Sequence, residues 1–136
     1  MDIKISFFQE EGRLDDRAIG SGVYIIELLN EDKPLSPTLP LYIGESFYMV
    51  KRCGEHLFEF IKNPALFGLI VDNLANDRFR LCFSVLESLP GANENQRREK
   101  EKDYISKYKP LTQCSNSDTQ VKNKVKIVQD EIERFW

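Results

Sequence analysis

Histidine, tryptophan and cysteine are scarce in this chain, and each scarcity removes a class of function. Its 136 residues include one histidine, one tryptophan and three cysteines. Cys53, Cys82 and Cys114 are odd in number and lack metal-ligand spacing, so no zinc cluster is expected. They read as reduced thiols of a cytoplasmic protein. No apolar run approaches the ~20 residues of a membrane span, and the N-terminus lacks the basic-then-apolar pattern of a signal peptide. A membrane partner is therefore not expected. Neither repeats nor low-complexity tracts occur.

What remains is ordinary for a globular protein: 41% hydrophobic and 30% charged residues, enough for one domain spanning 1–136. The net charge of −3 is unevenly spread. Residues 1–50 hold nine acids against four bases, whereas residues 97–126 hold nine bases against four acids. A local basic stretch can steer a phosphate backbone even when the overall charge is negative.

Along the chain, Ile3–Phe8 alternates as a short strand, and an acidic loop follows from Gln9 to Ser21. Val23–Leu29 is β-branched and aromatic, as a strand requires. Pro34, Pro37 and Pro40 place Asn30–Pro40 in a loop, since proline cannot donate to a ladder. Leu41–Gly44 is the expected return strand. Ser46 is a candidate N-cap for a helix whose buried stripe reads Val50, Cys53, Leu57 and Ile61. A shorter helix is expected from Ala65 to Leu74. Arg78–Leu86 alternates as a third strand. Asn93 or Asn95 caps a helix running to about Tyr108, stopped by Pro110. A last helix from about Asp118 carries Val121, Val125, Val128, Ile132 and Phe135 on one seam, with Trp136 packing beside it. The expected fold is α/β (α+β): a small three-stranded antiparallel sheet flanked by helices.

Several residues in this frame could carry chemistry. Arg52 and His56 lie four apart on one flank of their helix, bordering its apolar stripe without belonging to it. Singly, such a pair is usually a surface feature, and Tyr24 and Tyr42 would each be ordinary strand rings. Glu101 differs. It precedes Ile105 by four and Tyr108 by seven, so the apolar stripe of its helix runs into a carboxylate. An inward carboxylate must be paired or metal-bound, because burying it alone is costly. A single carboxylate suits a hard ion such as Mg²⁺, which fills its shell with water and phosphate oxygens.

Taken together, these residues resemble the GIY-YIG nuclease family from about Gly22 to Gln113. Its two half-motifs appear as Gly22-Val23-Tyr24 and Tyr42-Ile43-Gly44. Arg52 stands ten residues after Tyr42, where the family places its arginine, and His56 follows as in the homing and restriction branches. Glu101 to Pro110 is similar to the closing motif of a metal-binding glutamate, a helix end and a proline. Gln113 stands where the family often has asparagine; it keeps the amide with one more methylene and is a candidate positioning residue.

The resemblance implies a divalent-metal-dependent DNA endonuclease that hydrolyses phosphodiester bonds. Glu101 would hold Mg²⁺ or Mn²⁺, and Arg52 would stabilise charge on phosphorus. Tyr24, helped by Tyr42 or His56, would take a proton from the attacking water. Tyr24 and His56 both stand as candidates for the base. Arg97, Arg98, Lys107 and Lys109 are the expected nucleic-acid contacts. A catalytically inactive or partner-dependent nucleic-acid-binding module is the alternative. Paired cleavage of duplex DNA would favour a homodimer or a larger nuclease assembly, although the terminal seam reads first as intramolecular packing. Neither the DNA sequence nor the DNA structure recognised can be read from the chain.

Overall fold

The structure is a computed structural model that describes residues 1–7, 13–113 and 121–136. Four strands form one mixed sheet: β1 (Asp2–Ile5), β2 (Gly22–Asn30), β3 (Leu39–Ser46) and β4 (Phe79–Ser88), in the order β1-β4-β2-β3. The β3-β2-β4 part is the expected antiparallel core. The three-stranded expectation is corrected at the other edge, where β1 pairs parallel to β4. The alternation at Ile3–Ile5 signalled a strand but not its partner. The Met1 ammonium anchors its start by donating to the Leu74 carbonyl at 2.8 Å. The strand also ends at Ile5, short of Phe8, which lies outside the described residues.

Alternation along β2 assigns its two faces. Tyr24, Ile26 and Leu28 enter a large core with residues of α1 (Met49–Lys62), a 3-10 turn (Pro64–Phe67) and α4 (Val121–Phe135). Val23 and Ile25 enter a smaller cluster with Ile43, closed by Tyr104 and Ile105 of α3 (Glu94–Tyr108). A bulge shifts the β2–β3 register between Ile26 and Glu27, leaving Leu41 as the extra residue between Tyr42 and Pro40. The bulge breaks strict alternation, so Leu41 and Tyr42 both reach the larger core.

Strand β3 starts two residues earlier than its prolines suggested, because Pro40 sits on an outer strand, where no ladder N–H is needed. That outer edge is covered. The Leu111 amide donates to the Pro40 carbonyl at 2.8 Å, and the Thr112 hydroxyl donates to the Leu41 carbonyl at 2.6 Å.

Helix α1 departs from expectation in phase. Its buried residues are Met49, Cys53, His56 and Phe60, a stripe turned by roughly 75° from the expected one. Ile61 is 76% exposed and Phe58 70%. The aromatic contact at the helix end accounts for the rotation, since Phe60 packs on Phe67 of the following turn with ring centroids 5.9 Å apart. Ser46 is not the N-cap. It ends β3, its hydroxyl accepts from the Tyr48 amide, and α1 begins at Met49, whose amide donates to the Gly20 carbonyl. The expected helix over 65–74 divides into the 3-10 turn and a single helical turn, α2 (Val71–Leu74).

Helix α3 follows its sequence signals closely. Asn93 caps it in a reciprocal box with Gln96, and Lys109 leaves it in the left-handed conformation just before Pro110. Helix α4 packs within the molecule through part of its expected seam: Val128 is fully buried, Ile132 joins the core and Trp136 meets Phe79 at 5.3 Å, whereas Phe135 is exposed. Its expected start at Asp118, like Cys114, lies outside the described residues. Among the described residues, no helix is long and apolar enough to cross a membrane.

Candidate functional site

The site forms where β2, β3 and α1 meet on the large-core face. Tyr24 of β2 pairs across the ladder with Gly44 of β3. A β-carbon at residue 44 would land on the Tyr24 hydroxyl and the edge of the Tyr42 ring, so only glycine lets the ring lie over its neighbour. Gly22 is constrained in the same way at the start of β2, where a β-carbon would strike the Glu87 carbonyl and the Met49 side chain. The two motif glycines thus admit the groups that they stand beside.

His56 comes up from α1 beneath these rings. Its Nε2 shares a 2.7 Å hydrogen bond with the Tyr24 hydroxyl, the donor being set by the imidazole tautomer. Its ring meets Tyr42 at 5.1 Å, Tyr24 at 5.5 Å and Phe67 at 5.7 Å between centroids. His56 is 2% exposed, so it belongs to the buried face rather than bordering it, a correction to the sequence reading that follows from the helix rotation. Phe67 and the stripe's true phase were not foreseen.

Burial sets the electrostatics of the cluster. Desolvation, followed by the nearby Arg52 charge, lowers the His56 pKa to about 4, which leaves a neutral imidazole at pH 7. Desolvation raises both tyrosine hydroxyls above the ordinary value, with Arg52 opposing the rise in each. A standing tyrosinate is therefore disfavoured at neutral pH. Cys53, in the same stripe, is a buried thiol pushed up to about 12 by desolvation, which makes it inert packing. Arg52 is partly exposed and paired with Glu55 at 2.9 Å, with Glu59 3.9 Å away.

Glu101 approaches from α3, on the other side of β3. Its carboxyl pKa is raised, first by desolvation and then by the neighbouring Glu45; the Glu45 main-chain amide, Arg98 and Lys102 pull the other way. Among the described residues, no cation lies within 4 Å of its carboxylate. A desolvated carboxylate without an ion-pair partner, crowded by a second one, fits a hard divalent cation. Among the described residues, no group of three or more His, Cys, Asp or Glu comes together, so no closed protein cage is present. Glu101 influences both Tyr24 and Tyr42 electrostatically, which ties the two sides of the site together.

Gln113 braces the strand between them. Its side-chain oxygen accepts from the Ile43 amide and its nitrogen donates to the Ile43 carbonyl, each at 2.8 Å. Of the expected phosphate contacts, Arg98, Lys107 and Lys109 are exposed. Arg97 is not: its guanidinium binds Glu45 at 2.7 Å and the Ala92 carbonyl at 2.8 Å, with 11% of the side chain exposed. Glu45, directly after the second half-motif, went unread in the sequence. A wider concavity of about 750 Å³ lies against Ser88 to Ala92 and the first turns of α3, and contains none of the candidate residues.

Compared with known proteins, the chain matches no family model, no curated protein and no solved structure.

Proposed function

We propose that the protein is a divalent-metal-dependent DNA endonuclease of GIY-YIG type, hydrolysing a phosphodiester bond at the Tyr24–Tyr42–His56–Arg52 cluster. The observation that carries this reading is the 2.7 Å bond between the Tyr24 hydroxyl and His56 Nε2, made beneath Tyr42 and beside Arg52.

The raised tyrosine and the neutral histidine divide the acid–base work. Tyr24 takes a proton from the attacking water while passing its own to His56 Nε2, so no free tyrosinate has to accumulate. The water oxygen bonds to phosphorus. The bond to the leaving oxygen breaks with its electron pair, and that oxygen is then protonated. Arg52 exchanges its carboxylate partners for the phosphoryl oxygens and stabilises the added charge. Glu101 would hold Mg²⁺ or Mn²⁺, which would supply Lewis-acid neutralisation of the scissile phosphate when bound. Arg98, Lys107 and Lys109 contact the DNA backbone, whereas Arg97 remains with Glu45.

The test is cleavage of plasmid, linear, branched and single-stranded DNA with Mg²⁺, Mn²⁺ or EDTA. Metal-dependent cutting is expected, and Glu101→Ala should lose about a thousandfold in rate or more without a fall in melting temperature. Salt-sensitive DNA binding without cutting in any metal would reject the nuclease and favour a binding module.

A further inference from the structure

Resting on that reading, we propose that Glu59 is a positioning residue for the Tyr24–His56 pair. It orients the imidazole through Nδ1 and passes the proton received from Tyr24 out to solvent. His56 is almost completely buried, yet among the described residues Nδ1 has no hydrogen-bond partner. A buried ring nitrogen left unpaired is costly and marks a group awaiting a partner. Glu59 Oε2 lies 3.7 Å from that nitrogen, one helical turn on, beyond hydrogen-bond length but within ion-pair range. The carboxylate is 44% exposed, so a small rotation of a solvated side chain closes the gap.

Among the described residues, the elements packed around His56 leave no other acceptor on that side. Tyr24 of β2 occupies Nε2, Tyr42 of β3 and Phe67 meet the ring through their own rings, and on α1 Arg52 is cationic. Glu59 also borders a surface concavity of about 550 Å³, lined with Phe58, Lys62, Asn63 and Leu66, which opens the relay to water. The steps balance. The proton from the attacking water reaches Tyr24 as the Tyr24 proton moves to Nε2. The resulting imidazolium then gives its Nδ1 proton to Glu59, and Glu59 gives it to solvent. The neutral imidazole that remains carries its proton on Nε2. Nδ1 regains a proton from solvent through Glu59 while Nε2 returns its own to Tyr24, which gives up a proton to the leaving oxygen, and the starting tautomer is restored. Arg52 bears on the same carboxylate from 3.9 Å, so its move to a phosphate frees Glu59 for His56.

Two measurements decide the proposal. The chain has a single histidine, so ¹⁵N-histidine labelling reports one imidazole without assignment. The resting protein should show the Nδ1–H tautomer, with Nε2 accepting from Tyr24, and Glu59→Gln should raise the share of the other tautomer. A resting Nε2–H tautomer would overturn the relay, because Nδ1 would have no proton to offer. The second is a double-mutant cycle in DNA cleavage. Glu59→Gln should lower kcat about tenfold in the wild type and change nothing further in a His56→Gln background. An equal loss in both backgrounds would mean that Glu59 acts through Arg52 instead. If the wild type cuts no DNA, the nuclease reading falls, while the tautomer still judges the Glu59–His56 link by itself.

Discussion

Helices α1 and α3 are 14 and 15 residues long and each brings a proposed reagent to β3, yet different forces hold them. Helix α1 buries Met49, Cys53, His56 and Phe60, so its reagent is also a member of the core. Helix α3 buries no residue fully. It lies over Val23, Ile25 and Ile43 through half-buried Tyr104 and Ile105, and is tied by the Asn93–Gln96 box, the Arg97–Glu45 pair and a Tyr104–Glu87 hydrogen bond. A reagent inside an apolar stripe cannot be altered without stressing the fold. One hung on polar ties can change charge or be removed with little loss of structure. Changes to His56 should therefore lower both stability and activity, and changes to Glu101 should lower activity without lowering stability.

The largest effect that would sharpen this contrast is acid sensitivity. His56 titrates near 4 in the folded chain and near ~6.5 when unfolded. Between those values the unfolded chain binds a proton that the folded chain refuses, so stability rises with pH across the window and falls on acidification. The loss is complete below about pH 4 and amounts to about 3 kcal/mol. Urea unfolding of wild type and His56→Gln at pH 7 and pH 4.5 checks it, and the variant should lose much less. Glu101 acts with the opposite sign, since its raised carboxyl pKa adds stability on acidification, but it is common to both proteins. Equal acid losses in the two would mean that the His56 burial is not the liability.

The sequence was informative about these helices to different degrees, for physical reasons. The ends of α3 were legible because a cap and a proline act locally: Asn93, Lys109 and Pro110 each do what their chemistry dictates. The phase of α1 was not, because Leu57, Phe58, Phe60 and Ile61 spread apolar residues over roughly 160° of its circumference, which admits more than one buried stripe. A tertiary contact, Phe60 on Phe67, made the choice. That choice is also why His56 looked marginal in the sequence and is central in the fold. The tyrosine–glycine pairing was legible in outline, since Tyr24 and Gly44 occupy facing positions in a hairpin. Tyr42 shares that face by simple alternation with Gly44, whereas the Leu41 bulge, which turns Leu41 toward the same core, has no local signature. The β1–β4 pairing depends on contacts some 80 residues apart, beyond the reach of periodicity.

A smaller effect belongs to the polar side. Arg97 and Glu45 are nearly buried, with 11% and 15% of their side chains exposed. Breaking such a pair from one end strands the other charge, here beside Glu101. Arg97→Met should cost about 2 kcal/mol at neutral pH, less than the full penalty for a fully buried pair because some exposure remains. Adding Glu45→Met should restore most of it, because both charges are then gone. Denaturant melts of the three variants read this directly. A double variant as unstable as Arg97→Met would mean that Arg97 supports α3 through its bond to the Ala92 carbonyl instead.

Gln113 carries the smallest effect and probes the seam between the two regions. Its amide imitates a neighbouring strand, donating to and accepting from Ile43 where the ladder ends. Ile43 lies between Tyr42 and Gly44, so this amide holds the stretch that positions both tyrosine rings, while the residues just before it cover the edge with main chain. Gln113→Ala should cost about 1 kcal/mol, because water reaches a half-buried edge and replaces some of what is lost. Gln113→Asn tests the geometry. One methylene shorter, it cannot span to both Ile43 groups unless the 110–113 segment moves inward. That movement is opposed by the Leu111 and Thr112 bonds to β3. Thermal unfolding of Asn and Ala variants should therefore give similar losses. An Asn variant as stable as wild type would show that the segment slides along β3, and that β3 rather than Gln113 fixes the register of the site.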